Sequence, residues 1–377
     1  MFEIGLCVCA CVFAVQVNDQ RLDDARAYLQ SLPKTRHSTA ADSVDSSADV
    51  SRYDLVTVVI TMNRDRPSAD TDDDRQPRYN PGYLTQTVAR LLQISHGDNA
   101  AEFHHRKLLL CSVDPQPQTF TELQRLSDFV QTISRYQTAQ QWSDTDMENK
   151  FEKEKDDYAY CLRAASRFPS PYYMVLEDDV LLDENAVETV SFVMNYFDLF
   201  SAADWLFLKL YYPKKWSGYG RSWQTAAELG GNSVLGGCFS GGVMLLLRRC
   251  RTRPSNCRNL SARLWFAAGA VLTALLCVGI GRQYVESWRE YLVSTHRLEE
   301  APGCCTQAVL FPGGVISDLC THLRRVHSDM QSAVDIAVDG FAHVHGLKRY
   351  LIQPNVAEHI GFLSSLHRTS TRVEQFL

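Results

Sequence analysis

From residue 55 onward, short apolar runs alternate with longer segments of helical period. Residues 55–62 (LVTVVITM), 107–113 (KLLLCSV), 172–182 (YYMVLEDDVLL) and 204–212 (DWLFLKLYY) are short and rich in β-branched or aromatic side chains. That texture predicts strands. Residues 83–93 (YLTQTVARLLQ), 120–134 (FTELQRLSDFVQTIS) and 184–197 (ENAVETVSFVMNYF) instead space their apolar positions as an amphipathic helix does. A further strand at AVLFP (308–312) and a helix over 317–327 follow. Strands alternating with helices predict an α/β domain with a mostly parallel sheet, whose ligand sites lie beyond the carboxyl ends of its strands. No GxGxxG follows a strand and no GxxxxGK[ST] occurs, so dinucleotide and P-loop sites lose support.

Three segments break this rhythm by being nearly free of charge. Residues 1–17 (MFEIGLCVCACVFAVQV) carry only Glu3, with no basic stretch before the apolar run and no small-residue cleavage pattern after it. They read as a membrane anchor rather than a cleaved signal. Residues 229–247 and 264–281 hold no charge over 19 and 18 positions, close to the roughly 20 residues a spanning helix needs. Between them lie Arg248, Arg249, Arg251, Arg253, Arg258 and Arg263 and no acid. Two uncharged segments around an arginine loop predict a transmembrane hairpin with a cytosolic loop. Gly237 and Gly241 form a small-xxx-small pair suited to close helix contact. The Asn259-Leu260-Ser261 sequon would stay unmodified there. The division that follows is 1–17 anchor, 18–53 stem or linker ending in Ser/Asp/Ala-rich sequence, 54–228 first part of the α/β domain, 229–281 hairpin and 282–377 second part. Residues 64–80, polar and acidic, predict a solvated loop.

The overall balance of 38 Lys+Arg against 44 Asp+Glu, net −6, argues against nucleic acid as a partner. With 45% apolar residues the chain has ample material for a core. A mean hydropathy of −0.21 excludes a chain made mostly of membrane. Of the 12 cysteines, Cys111, Cys161, Cys304, Cys305 and Cys320 fall in the compartment where disulfides are permitted. Five is odd, so at least one is free, and the pairing stays open. No spacing among them suits zinc.

The chemically richest point is Glu177-Asp178-Asp179, placed where an apolar strand ends. Adjacent carboxylates repel unless a cation neutralises them, and hard divalent ions take such oxygen ligands while keeping positions open for phosphate. Alternate side chains of an extended segment point the same way, which pairs Glu177 with Asp179. A solvated acidic turn at a helix start is the plain alternative.

YYMVLEDDVLL followed by ADWLFLKLYYP resembles the donor-binding core of GT-A glycosyltransferases. The tail VDIAVDGFAHVHGLKRYLIQPNVAEHIGFLSSL is similar to the end of the N-acetylglucosaminyltransferase IV family, with its VD-x3-D and P-x4-H-x-G-x2-SS patterns. The whole plan resembles the post-GPI-attachment N-acetylgalactosamine transferase family: an anchor and a GT-A domain interrupted by a two-helix membrane insertion. The resemblance implies an inverting enzyme of the Golgi membrane with a luminal catalytic domain. It would use Mn²⁺ or Mg²⁺ and UDP-GalNAc, with GPI-anchored proteins as acceptors and the lipid bilayer as partner. It also implies roles. Glu177, Asp178 and Asp179 would hold donor and metal, with His359 completing the metal shell. Thr61, Arg64, Lys155, Asp157 and Tyr158 would line the nucleotide pocket, and Gln307 would touch the acceptor. Asp335 would be the general base, with Asp339 the fallback. The competing readings are an N-glycan N-acetylglucosaminyltransferase and a membrane-tethered glycan-binding protein without turnover.

Overall fold

The β-branched run Leu55–Thr61 forms β1, buried at all but one position and flanked by parallel neighbours on both sides. Such burial on both faces is what a continuous Val/Ile/Leu run supports. The computed structural model describes residues 2–34, 52–64, 80–97, 105–136, 150–199, 204–213, 218–219, 223–250, 262–282, 284–287, 295–326 and 333–361. Four expectations lie wholly or partly outside these residues: the acidic part of the stem, the 64–80 loop beyond Arg64, the arginine loop with its Asn259 sequon, and Ser364-Ser365.

β2 (Arg106–Ser112) and β4 (Tyr172–Glu177) pair parallel with β1, and β3 (Gln131–Ser134) pairs parallel with β2. β8 (Ala308–Pro312) runs antiparallel between β4 and β6 (Trp205–Lys209). β9 (Lys348–Gln353) pairs parallel with β6, and β7 (Arg297–Glu300) lies antiparallel on its far side. The eight-stranded sheet therefore reads β3-β2-β1-β4-β8-β6-β9-β7, a mixed sheet with a parallel half. A second ladder joins β5 (Val180–Leu182) to β10 (Ala357–His359). The core gathers Leu55 and Val59 of β1, Leu110 of β2, Met174 and Leu176 of β4 and Leu310 of β8. Each fully buried side chain of this size contributes roughly 1.5–3 kcal/mol.

Helices α2 (Tyr83–His96) and α5 (Ala186–Leu199) fall where the apolar period places them, and a further helix, α4 (Lys150–Ala165), precedes β4. Residues 120–134 do not form one helix. A short helix, α3 (Thr121–Leu126), ends at Ser127, and Gln131–Ser134 become the edge strand β3. Val130, Thr132 and Ile133 are β-branched, and the open edge of β2 gives their backbone partners. The 172–182 run likewise divides into β4 and β5 around the Asp178-Asp179 turn. Nor is the stem a linker at its start. Helix α1 (Phe2–Ser31) continues through it, and Ala25 and Leu29 pack into the core. After β8 come α8 (Ile316–Arg325) and α9 (Val334–His345).

The chain divides into two compact units, residues 1–211 with 296–377, and residues 212–295. The second is built on α6 (Trp223–Cys250) and α7 (Ala262–Ile280). Both are long and apolar enough to cross a membrane. They approach tightly at glycines: a Cβ at Gly236 would meet Thr273, one at Gly237 would meet Phe266, and one at Gly269 would meet Ser240. Gly241 has ordinary contacts only, so the expected Gly237/Gly241 pair is half of the true seam. Arg282, buried at the base of α7, is paired with Glu228 at 3.0 Å and Glu286 at 2.9 Å.

Candidate functional site

β1 and β4 lie side by side in parallel, so their carboxyl ends open at the same edge. Thr61 closes β1, and its hydroxyl donates to Asp178 Oδ2 at 2.7 Å. Arg64, three residues later, donates to both turn carboxylates, reaching Asp179 Oδ2 at 2.9 Å and Asp178 more closely. Its guanidinium also lies 5.1 Å from the centre of the Tyr83 ring, within cation–π range. Helix α2 supports the turn from below. The Thr87 hydroxyl lies 2.9 Å from the Asp178 carbonyl and 3.1 Å from that of Val180. Thr61 and Arg64 are thus spent on the acidic turn itself.

Asp178 is held by Thr61 and Arg64, while Asp179 is shared between Arg64 and His359, with Glu177 beside them. The β5–β10 register sets Val180 opposite His359, and Ile360 N–H donates to the Asp179 carbonyl at 2.8 Å. His359 Nε2 then lies 3.3 Å from Asp179 Oδ2. One ligand atom each from Glu177, Asp179 and His359 falls within 4.8 Å of the others.

The electrostatics fit a cation. Burial, reinforced by Asp179, pushes the Glu177 carboxyl up to about 8. Burial would raise Asp179 too, but His359 and Arg64 beside it hold it well below the usual carboxylate range. His359 is raised to about 8 by Asp179, against the lowering effect of its burial. Asp179 Oδ1 is buried without a hydrogen-bond partner among the described residues, a vacancy that costs stability unless filled. Two carboxylates and an imidazole this close together suit a divalent ion with open positions.

The first turn of α9 carries Asp335. Asp335 Oδ2 accepts from Cys305 N–H at 3.0 Å, and Oδ1 lies 2.8 Å from Ile336 N. The helix cap is Ala333, so Asp335 is not the capping residue. Asp339, one turn on, is paired with Arg349, which also reaches Glu300. Of the two candidate bases, Asp339 is committed to an ion pair and Asp335 is held by N–H groups alone. The loop that supplies Cys305 is pinned by the buried ammonium of Lys209, which donates to the Pro302 carbonyl at 2.6 Å and to that of Cys304. The Gln307 carbonyl accepts from Glu177 N–H at 2.8 Å, and its Oε1 is buried without a hydrogen-bond partner among the described residues.

Residues expected along α4 fare differently. Lys155 is fully buried and donates to the Val326 carbonyl and to Glu152, so its charge serves the join to α8 rather than a nucleotide pocket. Asp157 is gripped by Arg135 and Lys153. Tyr158 packs edge-on against Phe311, with its hydroxyl buried and without a hydrogen-bond partner among the described residues. The disulfide left open by the sequence joins Cys111 of β2 to Cys161 of α4, and Cys305 Sγ lies 3.1 Å from Cys304 Sγ. Glu154, unremarked in the sequence, belongs to the site: burial, then the charges of Asp335 and Asp157, raise its carboxyl to about 7. Only its spacing one turn before Tyr158 hinted at this.

The crystal structure of mouse xyloside xylosyltransferase 1 in its apo form is similar over 86% of this chain and 80% of that one. With 11% identity and a TM-score of 0.26, this is a likeness too slight to transfer fold or chemistry. The family comparison reaches further. A family model for the GPI-N-acetylgalactosamine transferase PGAP4 matches residues 55–358, most of the chain, and the chain belongs to that family of glycosyltransferases.

Proposed function

We propose that this chain is a GT-A-type, divalent-cation-dependent transferase that moves N-acetylgalactosamine from UDP-GalNAc onto a mannose of the GPI-anchor glycan, with inversion. The observation that carries the reading is the convergence of Glu177, Asp179 and His359, in a chain of this family. In this division, residues 54–228 form the donor side and 282–377 the acceptor side.

Glu177, Asp179 and His359 would hold Mn²⁺ or Mg²⁺, which when bound offsets the charge developing on the diphosphate leaving group. Arg64 and Thr61 fix the turn so that Asp179 keeps its aim, and Tyr158 and Asp157 lie on the donor side. Asp335 takes the proton of the acceptor hydroxyl as its oxygen bonds to the anomeric carbon and the carbon–oxygen bond to UDP breaks. General-base help of this kind typically contributes on the order of 10²–10⁴ in rate. The N–H groups of Cys305 and Ile336 hold the two carboxylate oxygens of Asp335 in place. Gln307, beside Glu177, is the acceptor contact. In this reading the enzyme works in the Golgi membrane with its catalytic unit in the lumen, and the two helices long and apolar enough to cross a membrane support it.

The test is transfer by the purified full chain to a GPI-glycan acceptor, with UDP-GalNAc and UDP-GlcNAc compared, with and without Mn²⁺. We expect cation-dependent transfer from UDP-GalNAc, abolished by Asp179→Ala in a protein that still folds. Preference for UDP-GlcNAc with an N-glycan acceptor would favour the N-acetylglucosaminyltransferase reading. Glycan binding without turnover would leave a tethered binding protein.

A further inference from the structure

The helix that continues from the apolar N-terminus does more than dock. Its turn at Asn18, Arg21 and Leu22 contacts residues that lead to both sides of the acidic cluster. Asn18 is buried; its Nδ2 donates to the Pro81 carbonyl at 3.0 Å, and its Oδ1 accepts from Gln86 Nε2 at 2.9 Å. Gln86 in turn donates to the same Pro81 carbonyl at 2.9 Å. This knot fixes the chain just before Gly82, which caps α2 in a left-handed conformation at φ 59°. Leu22 packs against that glycine so closely that a Cβ would come within 2.5 Å of its Cδ1. The next residue, Tyr83, carries the ring beneath Arg64, and Arg64 holds Asp178 and Asp179. On the other side, Arg21 pairs with Glu358 at 3.2 Å, and Glu358 precedes His359 on β10.

We propose that residues 18–22 of α1 are positioning residues of the catalytic site, holding its Arg64 side and its His359 side in register. The inference rests on the cation-dependent reading above. It also removes the usual separation between anchor and enzyme. The helix runs unbroken from Phe2 to Ser31, so the apolar N-terminal stretch and the cluster are joined by a rod and not by a flexible tether. Groups that orient ligands from behind typically tune cation affinity by 10–100-fold.

The test uses the full chain and two readouts: Mn²⁺ binding, followed by the electron paramagnetic resonance of free Mn²⁺, and the thermal midpoint. Asn18→Ala and Leu22→Ala should each weaken Mn²⁺ binding about tenfold at temperatures where the protein is folded. Val193→Ala, in the core on α5, is the control: it should lower the midpoint and leave Mn²⁺ affinity unchanged. Should the two α1 variants fail to fold, the exposed pair decides. Arg21→Glu should weaken Mn²⁺ binding about threefold, and adding Glu358→Arg should restore it. Unchanged affinity in Asn18→Ala, Leu22→Ala and Arg21→Glu overturns the proposal while the cation reading stands. No Mn²⁺ binding by the unaltered protein removes both.

Discussion

Glu154, Glu177 and Asp179 are three carboxyls in one site with three different settings, and Glu154 is the simplest to test because it is not among the cation ligands. Its carboxyl is raised from the ordinary 4.5 to about 7, first by burial and then by Asp335 and Asp157. A raised acid means the folded state holds its proton more tightly than the unfolded state does. Stability therefore falls as pH rises from the unfolded value through about 7, and stays lower above it. Glu154→Gln removes the titrating group and keeps the shape. Thermal melts should show the variant gaining on the unaltered protein as pH rises from about 5 to about 8, with little difference at the acid end. A constant offset across that range would mean that Glu154 is solvated and outside the site. The same residue shows what a sequence conceals. Charges spaced along a helix read as a wet face until the sheet brings another acidic segment against them.

At the scale of elements, the β5–β10 ladder decides whether an acidic turn becomes a cluster. Its three-residue strands bring His359 beside Asp179, and Gly361 ends the approach. A Cβ at Gly361 would fall 1.9 Å from Asp179 Oδ2, so the motif's glycine is required by space and not by backbone conformation. Gly361→Ala should push the Asp179 carboxylate off its position. A misplacement on the order of 1 Å costs about 10²-fold in rate, to be read as lost turnover with an unchanged far-ultraviolet circular dichroism spectrum. Near-normal turnover would show that the turn relaxes around a methyl group. The acidic triplet and its place at a strand end were legible in the sequence, because an apolar run stopping at three carboxylates is a strong local signal. The ladder was not: three residues carry no periodicity, and Val180–Leu182 looked like the continuation of β4. Residues 120–134 failed for a related reason. Their spacing suited a helix, and only the open edge of β2 made a strand of the last four. The stem at 18–31 read as a linker because its partners, Pro81, Gln86 and Glu358, are far away in sequence.

For the whole molecule, the insertion between β6 and β7 leaves the sheet intact, since β1, β4 and β5 before it meet β8, α9 and β10 after it in one unit. The hairpin was legible from charge alone, because an absence of charge over two such lengths needs no tertiary context. Its exact seam was not, because which glycine faces the partner depends on the helix rotation that Thr273 and Phe266 reveal. The candidate spans bury only 11% and 6% of their most apolar windows, and Phe239, Leu235, Leu272 and Leu275 are exposed. An apolar surface of that extent in water would drive association; in a bilayer it is solvated by lipid. The arginines that follow Leu247 predict the direction, since Lys and Arg near membrane helices are retained on the cytosolic side. An epitope placed at Pro254 in the full chain should therefore be cleaved by protease added to sealed Golgi vesicles, while the catalytic unit is protected until detergent is added. Asn259 should carry no glycan, so digestion with an N-glycosidase should leave the migration of the hairpin fragment unchanged. A protected epitope, or a glycan at Asn259, would put the arginine loop in the lumen and remove the membrane hairpin from this account.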